Sequence, residues 1–275
     1  MKVLLFGGSG MVGRELVHAL AGHQVITSTH AEVDISSQAA VERVVAQEKP
    51  GLVINAAALI DVAAIERDPT DAARINMHGA AAVAHAAARH NVPQLLVSSS
   101  YVFGDSPEPY AEDAPKSPAN AYGRTKAEAE DTVMASGTSA PWYVVRSSWL
   151  YSVGRGTFVD EVAQTLLSGK AFEASVQRGN PTHCGEFAAA VVKNFVDSSP
   201  QSGVYHIVNE GSASRLEIAR EIARILGVPE ELVVAKEFPS SAMRPSVVLL
   251  NTKLQKKLPP WQESLSAYIK RIHRR

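Results

Sequence analysis

The 275-residue sequence has a single cysteine, Cys184, so there is no internal disulfide and no CxxC metal or redox pair. Its nine histidines are scattered, without an HExxH or a neighbouring ligand set, and no metal site is expected. Long apolar runs are also missing. The opening stretch Met1–Phe6 breaks at Gly7-Gly8, too short for the core of a signal peptide, and reads as a first buried strand. Nothing approaches the roughly 20 apolar residues of a membrane span, and a cytoplasmic location follows by default. Acidic and basic residues nearly balance: the net charge is −1, which provides no field to recruit nucleic acid or an anionic membrane. The basic end Lys270–Arg275 is short and reads as a solvated helix end. With 45% apolar and 20% charged residues, the remainder is an ordinary globular composition, and the chain is long enough to bury a core.

Short apolar runs alternate with helical patterns through the first half, the signature of a parallel sheet wrapped by helices. Strands are expected at Val3–Phe6, Gln24–Thr29, Leu52–Ala57, Gln94–Ser98 and Trp142–Arg146. Between them come a helix over Met11–Leu20, one capped by Ser36 and running towards Gln47, an alanine-rich one over Asp71–Arg89 and one over Ala119–Ala135. Five such repeats predict an α/β, Rossmann-like doubly wound sheet. After about residue 155 the pattern is mixed: helices at Phe158–Leu167, Ser214–Leu226 and Trp261–Ile272, a strand at Val204–Val208, and prolines in the connections. The division expected is a dinucleotide-binding part over 1–155, with some later segments returning to it, and a smaller α+β substrate-binding cap over 156–275.

Gly7-Gly8-Ser9-Gly10-Met11-Val12-Gly13 joins the first strand to the first helix. Glycines there permit a tight turn and let backbone N–H groups approach a pyrophosphate at a helix N-terminus. The second strand ends Ser28-Thr29-His30 without a carboxylate for a ribose 2′-OH, and Arg14 follows the glycines. Both lean towards NADPH, with NADH open; Arg14 reads equally as a solvated helix residue.

Tyr122 and Lys126 stand at i and i+4, on one helix face and about 6 Å apart along the axis. Reducing a ketone needs a proton donor for the carbonyl oxygen, and a neighbouring ammonium lowers a phenol towards that role. Such a pair also arises by chance on surface helices. Its weight comes from following a fourth strand that ends in Ser98-Ser99-Ser100-Tyr101, where a hydroxyl could hold the carbonyl, although a serine-rich turn reads the same way.

Taken together, the glycine loop, Asn55–Ala58, Ser98–Phe103 and Tyr122-xxx-Lys126 resemble the extended short-chain dehydrogenase/reductases. Further matches narrow the resemblance to the dTDP-4-dehydrorhamnose reductases: Arg146–Tyr151, Gly179–Thr182, Ala242–Pro245 and Leu258–Trp261, in order across nearly the whole chain. The resemblance implies catalysis by Ser99, Tyr122 and Lys126. It implies cofactor contacts from Gly7, Ser9, Gly10, Met11, Val12 and Gly13, from Asp34 and Ile35 to the adenine, from Ala56, Ala57 and Ala58 beside the nicotinamide ribose, and from Tyr122 and Lys126. For the substrate it implies Ser100, Tyr101, a sugar-pocket Trp149 and Arg244 near the diphosphate. On their own, Trp149 also reads as a core aromatic and Arg244 as a surface arginine.

The chain departs from that family at Ser100, where an aspartate is usual, at Ile60 and Ala63, where Thr and Asp are usual, and at Val176, which replaces an acid. The implied activity is NAD(P)H-dependent reduction of a nucleotide-activated 4-keto-6-deoxy sugar, with a nucleotide sugar as partner and a homodimer left open. Two alternatives stand beside it. One is another NDP-sugar ketoreductase or an epimerase; the other is a non-catalytic NADP-binding subunit such as the beta subunit of methionine adenosyltransferase.

Overall fold

A computed structural model describes residues 1–30, 32–106, 108–154, 156–237 and 244–273. Its centre is a sheet of six strands, Lys2–Phe6, Gln24–Ser28, Leu52–Asn55, Gln94–Ser99, Trp142–Ser147 and Gly203–His206. They lie side by side in the order sixth, fifth, fourth, third, first, second, and every pairing is parallel. The sixth strand extends the five-repeat expectation: the late apolar run returns to the sheet beside the fifth strand, over Gly203–His206 rather than Val204–Val208.

Helices cover both faces, so the strands are apolar in consecutive positions instead of alternating with polar residues. Val3 and Leu5 point to one face, into a core with Leu16, Leu20, Phe187, Val191 and Phe195. Leu4 and Phe6 point to the other, against Val41, Val45, Val83 and Ala86. On that second face Ala80 and Ala84 meet Ala129 and Val133 over Leu96 and Val144, where larger side chains would hold the helices off the sheet.

Several boundaries differ from the sequence expectation. Helix Gln38–Glu48 is capped by Ser37, whose Oγ accepts from Ala40 N at 3.4 Å. Ser36 does not cap it, because its hydroxyl donates to Asp34 Oδ1 at 2.8 Å. The third strand stops at Asn55, whose Oδ1 accepts from Ala57 N at 3.1 Å and turns the chain. The helix expected over Asp71–Arg89 is interrupted: Thr70–Ala72 leads into a wider π-helical stretch, Ala73–Gly79, before Ala80–Arg89.

A second core lies away from the sheet. Helices Phe158–Leu167, Arg215–Leu226 and Trp261–Ile272 bury Val162, Leu166, Ile218, Ile222, Leu265 and Tyr268 together. Among the described residues no helix is long and apolar enough to cross a membrane.

Candidate active site

The order of strands reverses at the first strand, which lies between the second and the third. In open parallel sheets such a switch opens a crevice at the carboxyl ends of the strands. Those ends are Phe6, leading into the glycine loop, Asn55, leading into Ala56–Ala58, and Ser99. A cavity of about 650 Å³ opens there, within the range of small-molecule sites.

One wall is the glycine loop. Gly7 has φ +82°, in the left-handed region, and a Cβ there would fall 2.5 Å from Ala57 N. A Cβ on Gly13 would fall 2.0 Å from Gly7 O, so only hydrogen lets the helix Met11–Ala19 seat against the loop. That helix begins at Gly10 with no side-chain cap, which leaves its first N–H groups for a ligand, and Gly10, Met11 and Val12 line the cavity. Arg14 folds back on the loop, its Nε donating to Ser9 O at 3.1 Å.

The opposite wall is built on helix Ala121–Met134. Asn120 starts it, its Oδ1 accepting from Gly123 N at 2.7 Å, and Gly123 lets the helix press on the backbone of Tyr101, where a Cβ would fall 2.0 Å from the carbonyl oxygen. This approach sets Tyr122 beside the end of the fourth strand: its ring meets that of Tyr101 edge-on, centroids 6.1 Å apart. Burial pushes the Tyr122 phenol up to about 12, with the neighbouring Ser99 hydroxyl acting the other way. Withdrawal from water outweighs whatever stabilises the anion, so the phenol carries its proton across the neutral range.

Lys126 is 2% exposed, and its Nζ donates to Val97 O at 2.8 Å. Burial brings it down to about 8, opposed by Glu130. Glu130 sits one further helical turn on and is fully enclosed: Oε1 accepts from Ser98 Oγ at 2.5 Å and Arg146 Nε at 2.9 Å, Oε2 from Arg146 Nη2 at 2.7 Å. Sequence reasoning missed this group, although Tyr122, Lys126 and Glu130 share one four-residue spacing.

Of the residues expected at the site, Gly10, Met11, Val12, Ala56, Ala58, Ser99, Ser100, Tyr101, Tyr122, Lys126 and Trp149 line the cavity together. Gly7, Gly13 and Ala57 shape the loop behind the wall. Asp34 and Ile35 are not brought to it: the Asp34 carboxylate is held by Ser36 and Arg74, and Ile35 is buried in the core against Gly79. Arg244 is exposed and lies outside the lining, and Ala242 and Met243 of its motif are outside the described residues. At the altered positions, Ile60 lines the cavity although 65% exposed, and Ser100 Oγ donates to Ser148 Oγ at 3.2 Å. A carboxylate does reach the end of the second strand: Glu32 Oε2 accepts from Thr29 N at 2.7 Å and Thr29 Oγ1 at 2.9 Å. It was missed because it arrives from the following turn.

This arrangement suits a carbonyl reduction, with a proton-bearing phenol, a hydroxyl and a buried ammonium beside an open helix N-terminus. Comparison with known proteins agrees with that chemistry. The chain is 34% identical to a dTDP-4-dehydrorhamnose reductase of Mycolicibacterium smegmatis over 278 residues, covering 96% of this chain and 84% of that one. It is 36% identical over 232 residues to a probable dTDP-4,6-dihydroxy-2-methyloxan-3-one 4-ketoreductase of Streptomyces antibioticus, covering 82% and 77% of the two chains. Among solved structures it is similar to a dTDP-4-dehydrorhamnose reductase of Bacillus anthracis in complex with NADP, with a TM-score of 0.91, 27% identity and 98% and 99% of the chains covered. The model of the RmlD substrate binding domain matches residues 1–274, and with these relatives spanning nearly the whole chain, the protein belongs to that family.

Proposed function

We propose that this protein uses NADPH to reduce the keto group of a nucleotide-activated 4-keto-6-deoxy sugar, the chemistry named for its relatives in the dTDP-rhamnose pathway. The observation that carries the reading is the meeting of Tyr122, Ser99 and Lys126 with the uncapped helix N-terminus in one cavity. The uncapped N-terminus of helix Met11–Ala19, reached through a turn that needs glycine at 7 and 13, suits a dinucleotide pyrophosphate. NADPH, when bound, supplies the hydride.

The residues of the chain do the rest. The Tyr122 phenol gives its proton to the keto oxygen, and the Ser99 hydroxyl donates a hydrogen bond that orients it. Lys126, held by Val97 O, places a positive charge that favours the phenolate left behind. The second core supplies the sugar side of the cavity through Trp149, Phe158, Arg215 and Ile218. The decisive assay offers a panel of 4-keto sugar nucleotides with NADPH or NADH and reads cofactor oxidation together with product NMR. No cofactor oxidation with any member of the panel would end the proposal.

Two further outcomes follow. Gly13→Ala is expected to weaken NADPH binding at least about tenfold in a fluorescence titration, equivalent to about 1.4 kcal/mol, because the loop and helix must part. With the Lys126 ammonium lowered to about 8, kcat/KM is expected to fall as pH rises past that point and the positive charge is lost. In Lys126→Arg, whose guanidinium stays charged, that alkaline limb is expected to vanish from the profile.

A further inference from the structure

Arg215 opens the helix Arg215–Leu226, whose start is fixed by reciprocal bonds: Glu217 N donates to Ser214 Oγ at 3.1 Å and Ser214 N to Glu217 Oε2 at 2.6 Å. Its guanidinium carbon lies 4.0 Å from the centroid of Trp149 and 4.3 Å from that of Phe158, and all three residues line the cavity. Two aromatic rings therefore hold the cation where an acid would ordinarily do so. Among the described residues its guanidinium N–H groups make no hydrogen bond and no ion pair. Burial lowers it to about 10; Tyr101 opposes this, the nearby Arg244 adds to it, and Glu161 acts against it from beyond ion-pair distance. The group remains charged at neutral pH.

The surroundings are built to keep it there. Trp149 sits at φ +42°, a conformation that non-glycine residues adopt only when held. Its indole covers Gly179, where a Cβ would fall 2.6 Å from Cε2. The same short antiparallel ladder pairs Gly179 with Ala213 and Arg178 with Ser214, so the floor under Trp149 and the start of the Arg215 helix share one register. The chain after Arg244 joins this ladder, with Arg178 N donating to Ser246 Oγ and Val247 N to Arg178 O, both at 3.1 Å. Arg178 itself is taken by Glu217 at 2.9 Å. The Arg215 guanidinium thus faces the cavity with no carboxylate paired to it among the described residues. An anionic ligand group entering the cavity satisfies it, and its planar N–H fork matches phosphate oxygens.

We propose that Arg215 binds the diphosphate of the nucleotide sugar, its stacking on Trp149 and Phe158 setting where the sugar lies relative to Tyr122. This rests on the reductase reading above and names the residue that holds the substrate's charged linker.

The test titrates thymidine diphosphate and thymidine monophosphate calorimetrically into wild type, Arg215→Met and Arg215→Lys, alongside steady-state kinetics. Wild type is expected to prefer the diphosphate. Arg215→Met is expected to lose about 10–100-fold in diphosphate affinity, with far less change for the monophosphate, as fits the loss of a charge-assisted contact. KM for the keto sugar nucleotide is expected to rise by a similar factor, more than kcat falls, while NADPH binding holds. Arg215→Lys, a point charge without the fork, is expected to fall between. Unchanged diphosphate affinity and KM in Arg215→Met overturn the assignment; should that variant fail to fold, unchanged values in Arg215→Lys overturn it equally. A wild type that reduces keto sugars with an Arg215-independent KM loses the clamp and keeps the reductase. One that binds diphosphate through Arg215 but reduces nothing keeps the clamp and loses the reductase.

Discussion

Replacing Tyr122 with phenylalanine is expected to lower kcat by about 10²–10⁴-fold, the range that positioned proton donors contribute, while NADPH binding stays close to wild type. The phenol is the proton-bearing group at the end of the fourth strand, pushed up to about 12 by burial, so it is available as an acid at any working pH. Phenylalanine keeps the ring, and with it the edge-on contact to Tyr101 at 6.1 Å. The fold and the dinucleotide wall are therefore untouched, and the missing oxygen alone is under test. Stopped-flow or steady-state oxidation of NADPH with the preferred keto sugar reads the rate, and a fluorescence titration reads the binding. A variant turning over at nearly the wild-type rate removes Tyr122 from the chemistry.

Glu130→Gln is expected to have the largest effect on stability. The Glu130 and Arg146 side chains are 0% and 3% exposed and meet at 2.7 Å, with Ser98 and Lys116 also directed at the carboxylate. Removing one charge strands the other in a dry interior, which costs about 3–5 kcal/mol. At roughly 2–4 °C per kcal/mol for a chain of this size, Tm should drop by about 10 °C in a calorimetric scan. The same carboxylate holds up the Lys126 pKa against burial, so its loss moves the alkaline limb of kcat/KM to lower pH. A purely structural role would lower Tm and leave the pH profile in place.

How much could be seen in the sequence follows from the range of each interaction. Helix Trp261–Ile272 was legible to the residue, since one amphipathic period runs between Pro260 and the chain end. The Ser36 cap was misplaced by one position because Asp34, two residues back, competes for that hydroxyl. The alanine-rich segment over 71–89 reads as one helix in sequence, whereas the structure breaks it with the π-helical stretch Ala73–Gly79 where it packs against the Ala121–Met134 helix. Glu32 went unread because its carboxylate reaches Thr29 through a turn, and Arg215 because nothing local distinguishes an arginine stacked on rings from one in solvent.

By itself, the sequence determined the parallel sheet, the glycine turn and the spacing of Tyr122 to Lys126, since hydrophobic period, backbone sterics and helix pitch all act within a few residues. Tertiary structure alone decided that the phenol is raised and not lowered, that Glu130 lies behind the lysine, and that Arg215 joins Trp149 in the cavity. Desolvation and long-range charge pairing depend on which distant segments close over a group, and no local pattern encodes that.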